Sequence, residues 1–140
     1  MTVKEIILSV ENKPGKLSHI ISHLYENDVK VPAFWVGTTK KKATLRFVTS
    51  DPKGAISVLT GLGFKIETMD VVAAQVPDHP GGLNTLLKLL QSANINILHI
   101  YPCLETQDTI LILEVDKTEE AIKVLKSNWI NLYDEKLYNL

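Results

Sequence analysis

From Lys16 to Asn27 the apolar residues Leu17, Ile20, Ile21 and Leu24 recur at i, i+3, i+4 and i+7. That spacing lays them on one face of an amphipathic helix, whose other face carries Lys16, His19, His23 and Glu26. The period changes on either side. Glu5–Val10 is a short β-like run ending at Glu11, Asn12 and a Pro-Gly turn. Val29–Gly37 is β-branched and aromatic, Thr38–Lys42 is polar, and Ala43–Thr49 alternates again, which predicts a hairpin. Ser50 or Asp51 is placed to cap a second helix over about Pro52–Thr60, with proline in its first turn and Gly61 and Gly63 at its end. Phe64–Asp70 reads as a fourth strand.

The pattern then starts again. Asn12-Lys13-Pro14-Gly15-Lys16-Leu17 is similar to Asp78-His79-Pro80-Gly81-Gly82-Leu83, and the prolines are 80 − 14 = 66 residues apart. Without any insertion the same offset pairs Val10 with Val76, Leu24 with Leu90, Leu45 with Leu111, Ala55 with Ala121 and Leu59 with Leu125. It also sets Trp35 against Tyr101 and Phe47 against Leu113. The second unit is expected to run as strand Val71–Val76, helix Leu83–Ala93, strands Ile95–Tyr101 and Thr109–Val115, helix Thr118–Ser127 and a strand near Ile130–Tyr133. Leu137–Leu140 is a candidate edge strand.

Each unit thus reads βαββαβ, an α+β ferredoxin-like arrangement with helices on one face of an antiparallel sheet. The units are 1–70 and 71–140, with no linker between them, and each lies near the small end of what folds alone. Both faces of the second strand are apolar, with Val31, Ala33 and Trp35 against Phe34 and Val36, so something has to cover them. Side-by-side packing of the two units and a homodimer are the expected solutions.

Composition narrows the function. Hydrophobic content of 45% and charged content of 22% match a globular protein with a real core. A net charge of −1 provides no overall attraction to nucleic acid or anionic lipid. Arg46 is the only arginine, so the fork that grips phosphate or guanine is nearly absent. Lys40, Lys41 and Lys42 form the one basic run, read as the solvated tip of a hairpin. Cys103 is the single cysteine, which excludes an intramolecular disulfide and any multi-thiolate zinc site. No stretch approaches the ~20 apolar residues of a membrane span, and the start is too short and charged for a signal peptide. Cytoplasm is the expected location.

Catalytic chemistry is not visible. His19 and His23 stand at i, i+4, yet no carboxylate lies between them in an H-E-x-x-H pattern and they fall on the polar face, so they read as surface histidines. Cys103 has no evident His or Asp partner and reads as a structural thiol. His99 matches Ala33 in the first unit, so packing does not call for it; it is either held by a hydrogen-bond partner or touches a ligand. No nucleophile elbow, phosphate loop or paired-carboxylate arrangement appears, and no cofactor is expected.

The paired Pro-Gly-x-Leu turns, each followed by the same helix and strand, resemble those of the ACT domain, specifically free-standing proteins of two ACT units without a catalytic domain. The resemblance covers nearly the whole chain. It implies a non-catalytic sensor that binds a free amino acid or similar small ligand between the first turn of one unit and the second strand of a neighbour. Physical chemistry agrees, because glycine admits a ligand close to the backbone and the helix start beyond offers free N–H groups and a positive dipole end. The implied cradle is Asn12, Lys13, Pro14, Gly15, Lys16 and Leu17 in one unit and Pro77, Asp78, His79, Pro80, Gly81, Gly82 and Leu83 in the other. Glu11 or Asp78 would meet the ligand's ammonium, and Trp35, His99 and Tyr101 would shape the side-chain pocket.

Three rivals remain on the same topology. An acylphosphatase-like hydrolase needs an arginine in an anion-cradling loop, and Arg46 lies mid-strand. An RNA-binding sheet needs stacking aromatics, and Lys42–Val48 offers only Phe47. The third is a regulatory subunit that docks an enzyme with or without an amino acid, and the sequence leaves it open.

Overall fold

The computed structural model describes residues 1–134 and Leu137. Their element order is β1 (Val3–Glu11), α1 (Lys16–Glu26), β2 (Ala33–Thr38), β3 (Lys42–Val48), α2 (Pro52–Gly61) and β4 (Glu67–Gln75). It continues with α3 (Gly82–Ser92), β5 (Ile97–Pro102), β6 (Ile110–Val115), α4 (Thr118–Ser127) and β7 (Leu132–Tyr133). The chain divides into two compact units, Lys4–Met69 and Asp70–Leu140 with Met1–Val3.

In the unit Lys4–Met69, β3 pairs antiparallel with β1 from Glu5↔Val48 to Glu11↔Lys42 and with β2 from Ala33↔Val48 to Thr38↔Ala43. Alternation puts Ile6, Leu8 and Val10 of β1 on the same face as Ala43, Leu45 and Phe47 of β3, and these pack with Ile20, Leu24, Ala55 and Leu59 of the two helices. In the other unit β6 pairs antiparallel with β4 and β5, and β4 also with β7. Its core joins Val72, Ala74, Leu111 and Leu113 to Leu86, Leu90, Ala121 and Leu125. All eight of these core residues stand 66 positions after a core residue of the first unit, as Leu90 does after Leu24. The ferredoxin-like α+β class read from the periodicity is the observed one.

Turn geometry repeats at the same offset. Left-handed backbone occurs at Gly15 and Gly81, at Asp28 and Asn94, and at Gly63 and Trp129. Glycine and asparagine are ordinary in that region, whereas tryptophan is strained there. Trp129 follows α4 where Gly63 follows α2, and it is 93% exposed, so neither burial nor backbone preference explains it. Trp129→Gly is expected to stabilise the protein by about 1 kcal/mol, a rise in thermal midpoint of roughly 3 °C. A scanning-calorimetry midpoint that falls instead would show that the indole stabilises the turn.

Several boundaries differ from expectation for identifiable reasons. Val29–Val31 is not strand: Asp28 has φ 59° and Pro32 has no N–H to give a ladder, so the chain bonds locally, Lys30 N–H to Ser50 Oγ at 2.9 Å and Ser50 N–H to Lys30 O at 3.0 Å. Val29 and Val31 are nevertheless buried in the core. Phe64–Asp70 and Val71–Val76, expected as two strands, form the single strand β4, which begins only at Glu67. Asp51 is the residue that caps α2, its carboxylate accepting the Gly54 N–H at 3.0 Å. Of the expected edge strand Leu137–Leu140, Leu137 is buried and donates its N–H to Asp134 O at 3.0 Å; residues 138–140 lie outside the described residues. No described helix is long and apolar enough to cross a membrane.

Candidate functional site

Both Pro-Gly turns fold the same way. Gly15 (φ 85°, ψ −10°) leads into α1 and Gly81 (φ 81°, ψ 8°) into α3, and neither helix has a side-chain cap. Lys16 N–H and Gly82 N–H close the turns onto Lys13 O at 3.3 Å and His79 O at 2.9 Å, which leaves the next N–H groups of each first turn as the ones without an intrahelical acceptor. The internal bonds also correspond: Lys13 N–H to Glu11 O and His79 N–H to Pro77 O, both 2.9 Å, then His19 N–H to Gly15 O at 3.0 Å and Thr85 N–H to Gly81 O at 2.9 Å. A left-handed residue is what lets the strand reverse into the helix here, which is why glycine occupies the position twice.

The turns differ in what surrounds them. In the first, Asn12 ties the loop to the β2–β3 hairpin, its N–H reaching Lys41 O at 3.0 Å and its Nδ2 reaching Thr39 O at 2.9 Å. The end of β1 (Ser9–Glu11), Asn12, Lys13 and Lys40–Lys42 then line one concavity of about 620 Å³. Glu11 is held by Lys13 at 2.9 Å, and the ammonium beside it keeps its carboxyl below the ordinary carboxylate value. Lys16 faces a second hollow of about 380 Å³ with His19, Leu62 and Phe64. Pro14 and Gly15 are exposed at the turn, and Leu17 packs on the core.

In the second turn Gly82 is buried, and a Cβ there would lie 2.0 Å from the Pro77 carbonyl oxygen. Asp78, His79, Pro80 and Gly81 are exposed, as is Leu83 at 47%. His79 Nδ1 lies 2.9 Å from the Pro80 carbonyl oxygen.

The three side chains expected to shape a ligand pocket sit as follows. Trp35 lies along β2 over Gly37, where a Cβ would meet its ring at 2.2 Å, and the Arg46 guanidinium stands 6.0 Å from the ring centroid. Arg46 in turn bonds Glu5 at 3.1 Å, and Glu5 is fully buried. His99 Nδ1 meets Glu114 Oε2 at 2.5 Å, so the histidine has the hydrogen-bond partner that one sequence reading required. Tyr101 is buried on the same face of β5 as His99. A bulge sets that face: Ile97 opposes Val115 and His99 opposes Glu114, leaving Leu98 as the extra residue, so Ile97 turns to the helices and His99 away from them.

Sequence reasoning missed Glu114, Glu5 and the approach of the lysine run to the first turn. A signal for Glu114 was present, since it is the single carboxylate inside the otherwise apolar strand Ile110–Val115; Glu5 shares its strand with Lys4, Ser9 and Glu11, so nothing in the sequence singled it out. Among the described residues no group of three or more metal-ligating side chains forms; the His19 and His23 rings pack edge to face at 4.5 Å. Burial pushes the Cys103 thiol up to about 11, which keeps it protonated and unreactive near neutral pH.

Comparison with known proteins agrees with this architecture. A protein of Bacteroides thetaiotaomicron has the same fold with a TM-score of 0.92 at 26% identity, over 100% of this chain and 98% of the other. The regulatory subunit of aspartate kinase from Thermus thermophilus superposes with a TM-score of 0.62 at 14% identity, over 90% of this chain and 91% of that one. The corresponding subunit from Thermus flavus gives 0.57 at 15% identity, over 92% and 94%. A search of the curated proteins gave no match. The family described as an ACT domain pair matches residues 1–140, and the chain belongs to that family.

Proposed function

We propose that this ACT domain pair is a regulatory, non-catalytic sensor that binds a free amino acid at its Pro-Gly turns and passes the signal to an enzyme. The observation that carries the reading is the duplicated turn: two left-handed glycines, each opening an uncapped helix, with the same internal hydrogen bonds. Such a turn presents N–H groups and a positive dipole end to a carboxylate. Glu11 and Asp78 are the acidic groups beside the turns that suit the ligand's ammonium, and Trp35, His99 and Tyr101 supply the side-chain selectivity. An enzyme partner fits the kind of protein in which the fold is found, since regulatory subunits of aspartate kinase in two Thermus species share it. Edge strands β2 and β5, carrying exposed Phe34 and Ile100, favour association as a homodimer.

The test is a thermal-shift screen of the full chain against the common amino acids. A ligand at 100 times its dissociation constant stabilises by about 2.7 kcal/mol, a shift of several degrees. Gly15→Val and Gly81→Val, at positions where a Cβ meets nothing within 4 Å, are expected to remove the response while unfolding stays cooperative. A response undiminished in both variants would place the ligand elsewhere, and none to any amino acid at millimolar concentration would leave enzyme docking as the function.

A further inference from the structure

The concavity between the first turn and the β2–β3 hairpin has a chemistry of its own. Four lysines, Lys13, Lys40, Lys41 and Lys42, line it together with one acidic residue, Glu11, whose carboxylate Lys13 already engages at 2.9 Å. Lys40, Lys41 and Lys42 have no ion-pair partner among the described residues. Like charges gathered around a hollow repel one another and focus a positive field into it. The fold does not require this arrangement, because the repeat offers a control: the residues 66 positions later are His79, Thr106, Gln107 and Asp108. One unit keeps the shared fold with a basic rim and the other keeps it without.

We infer that this concavity is a binding site for a small phosphate monoester without an aromatic ring. Its walls are held in place by the two Asn12 bonds to Thr39 and Lys41, so the site is organised before the ligand arrives. A volume of about 620 Å³ is within the range of small-molecule sites and larger than a bare phosphate needs. Lysines neutralise a dianion as point charges and need no arginine fork. Among the described residues no aromatic side chain lines the space, which leaves nothing there to stack a nucleobase and favours a polar ester such as a sugar phosphate.

The site shares Glu11, Asn12 and Lys13 with the proposed amino-acid cradle, so its test varies residues outside that cradle. Glucose 6-phosphate, inorganic phosphate and glucose are titrated calorimetrically into the full chain at fixed ionic strength. Saturable one-to-one binding of the phosphate ester but not of glucose is expected. The variant Lys40→Ser, Lys41→Ser, Lys42→Ser is expected to weaken that binding at least tenfold while keeping the thermal midpoint and any amino-acid response. Inorganic phosphate binding as tightly as the ester would identify free phosphate as the source of the same chemistry and supports the site. Absence of saturable binding by both phosphate probes, or wild-type affinity in the triple variant, overturns it. So does binding of polyglutamate but of neither phosphate probe, which would assign the lysines to an acidic protein partner.

Discussion

Replacing Arg46 by alanine is expected to lower stability by about 3–5 kcal/mol, because it removes the cation facing a carboxylate that is out of reach of water. Glu5 is fully buried, the Arg46 side chain is 16% exposed, and their oxygen and nitrogen are 3.1 Å apart. The sheet places them together: Ile7 is directly opposite Arg46 and Glu5 opposite Val48, so the pair reaches diagonally across β1 and β3 on the face away from the helices. Arg46 is also directly opposite Trp35 on β2, whose ring it covers. The double variant Glu5→Leu, Arg46→Leu is expected to recover most of the loss, since an apolar pair of similar size avoids burying charge at all. Urea titration of the three proteins measures this. A loss below about 1 kcal/mol in Arg46→Ala would mean that the pair is solvated and contributes as a surface bridge does.

Gly82→Val is the second large effect, expected to cost about 3 kcal/mol and to distort the second turn. The added Cβ would fall 2.0 Å from the Pro77 carbonyl oxygen and 3.0 Å from its carbon, both backbone atoms that cannot swing aside. The same carbonyl accepts the His79 N–H, so moving it breaks the turn's own hydrogen bond. Gly81→Ala separates strain from clash: nothing lies within 4 Å of its Cβ, and only the left-handed backbone, φ 81°, opposes it, for roughly 1–2 kcal/mol. Denaturant midpoints that rank the two substitutions in the opposite order would refute the close approach of Pro77. The first turn has Lys16 at the matching position, so this constraint belongs to the second turn alone.

What the sequence determined by itself is the part of the molecule governed by local period and by the repeat. Side chains must alternate on a strand and recur every three or four residues on a packed helix, so α1, α4, β1 and the two cores were legible from apolar spacing. The 66-residue offset carried more than composition: it located the paired left-handed glycines and the shared core positions, because a duplicated backbone needs the same turns in both copies. The Pro-Gly-x-Leu turns are therefore readable as turns from the sequence alone. The places where reading by period failed are places where the backbone leaves its period, at Asp28 and Pro32 before β2 and at the bulge around Leu98.

Only the tertiary structure decided which side chains meet. Arg46 with Glu5 and His99 with Glu114 are 41 and 15 residues apart in the chain, and strand register, which shifts by a residue at a bulge, determines whether such charges face each other or opposite sides of a sheet. The lysine run was visible as a basic segment, but its closeness to the first turn depends on hydrogen bonds from Asn12 across 27 and 29 residues. Spacing along the chain sets periodicity; distance between charges is set by how the strands pair, and that is a property of the folded sheet.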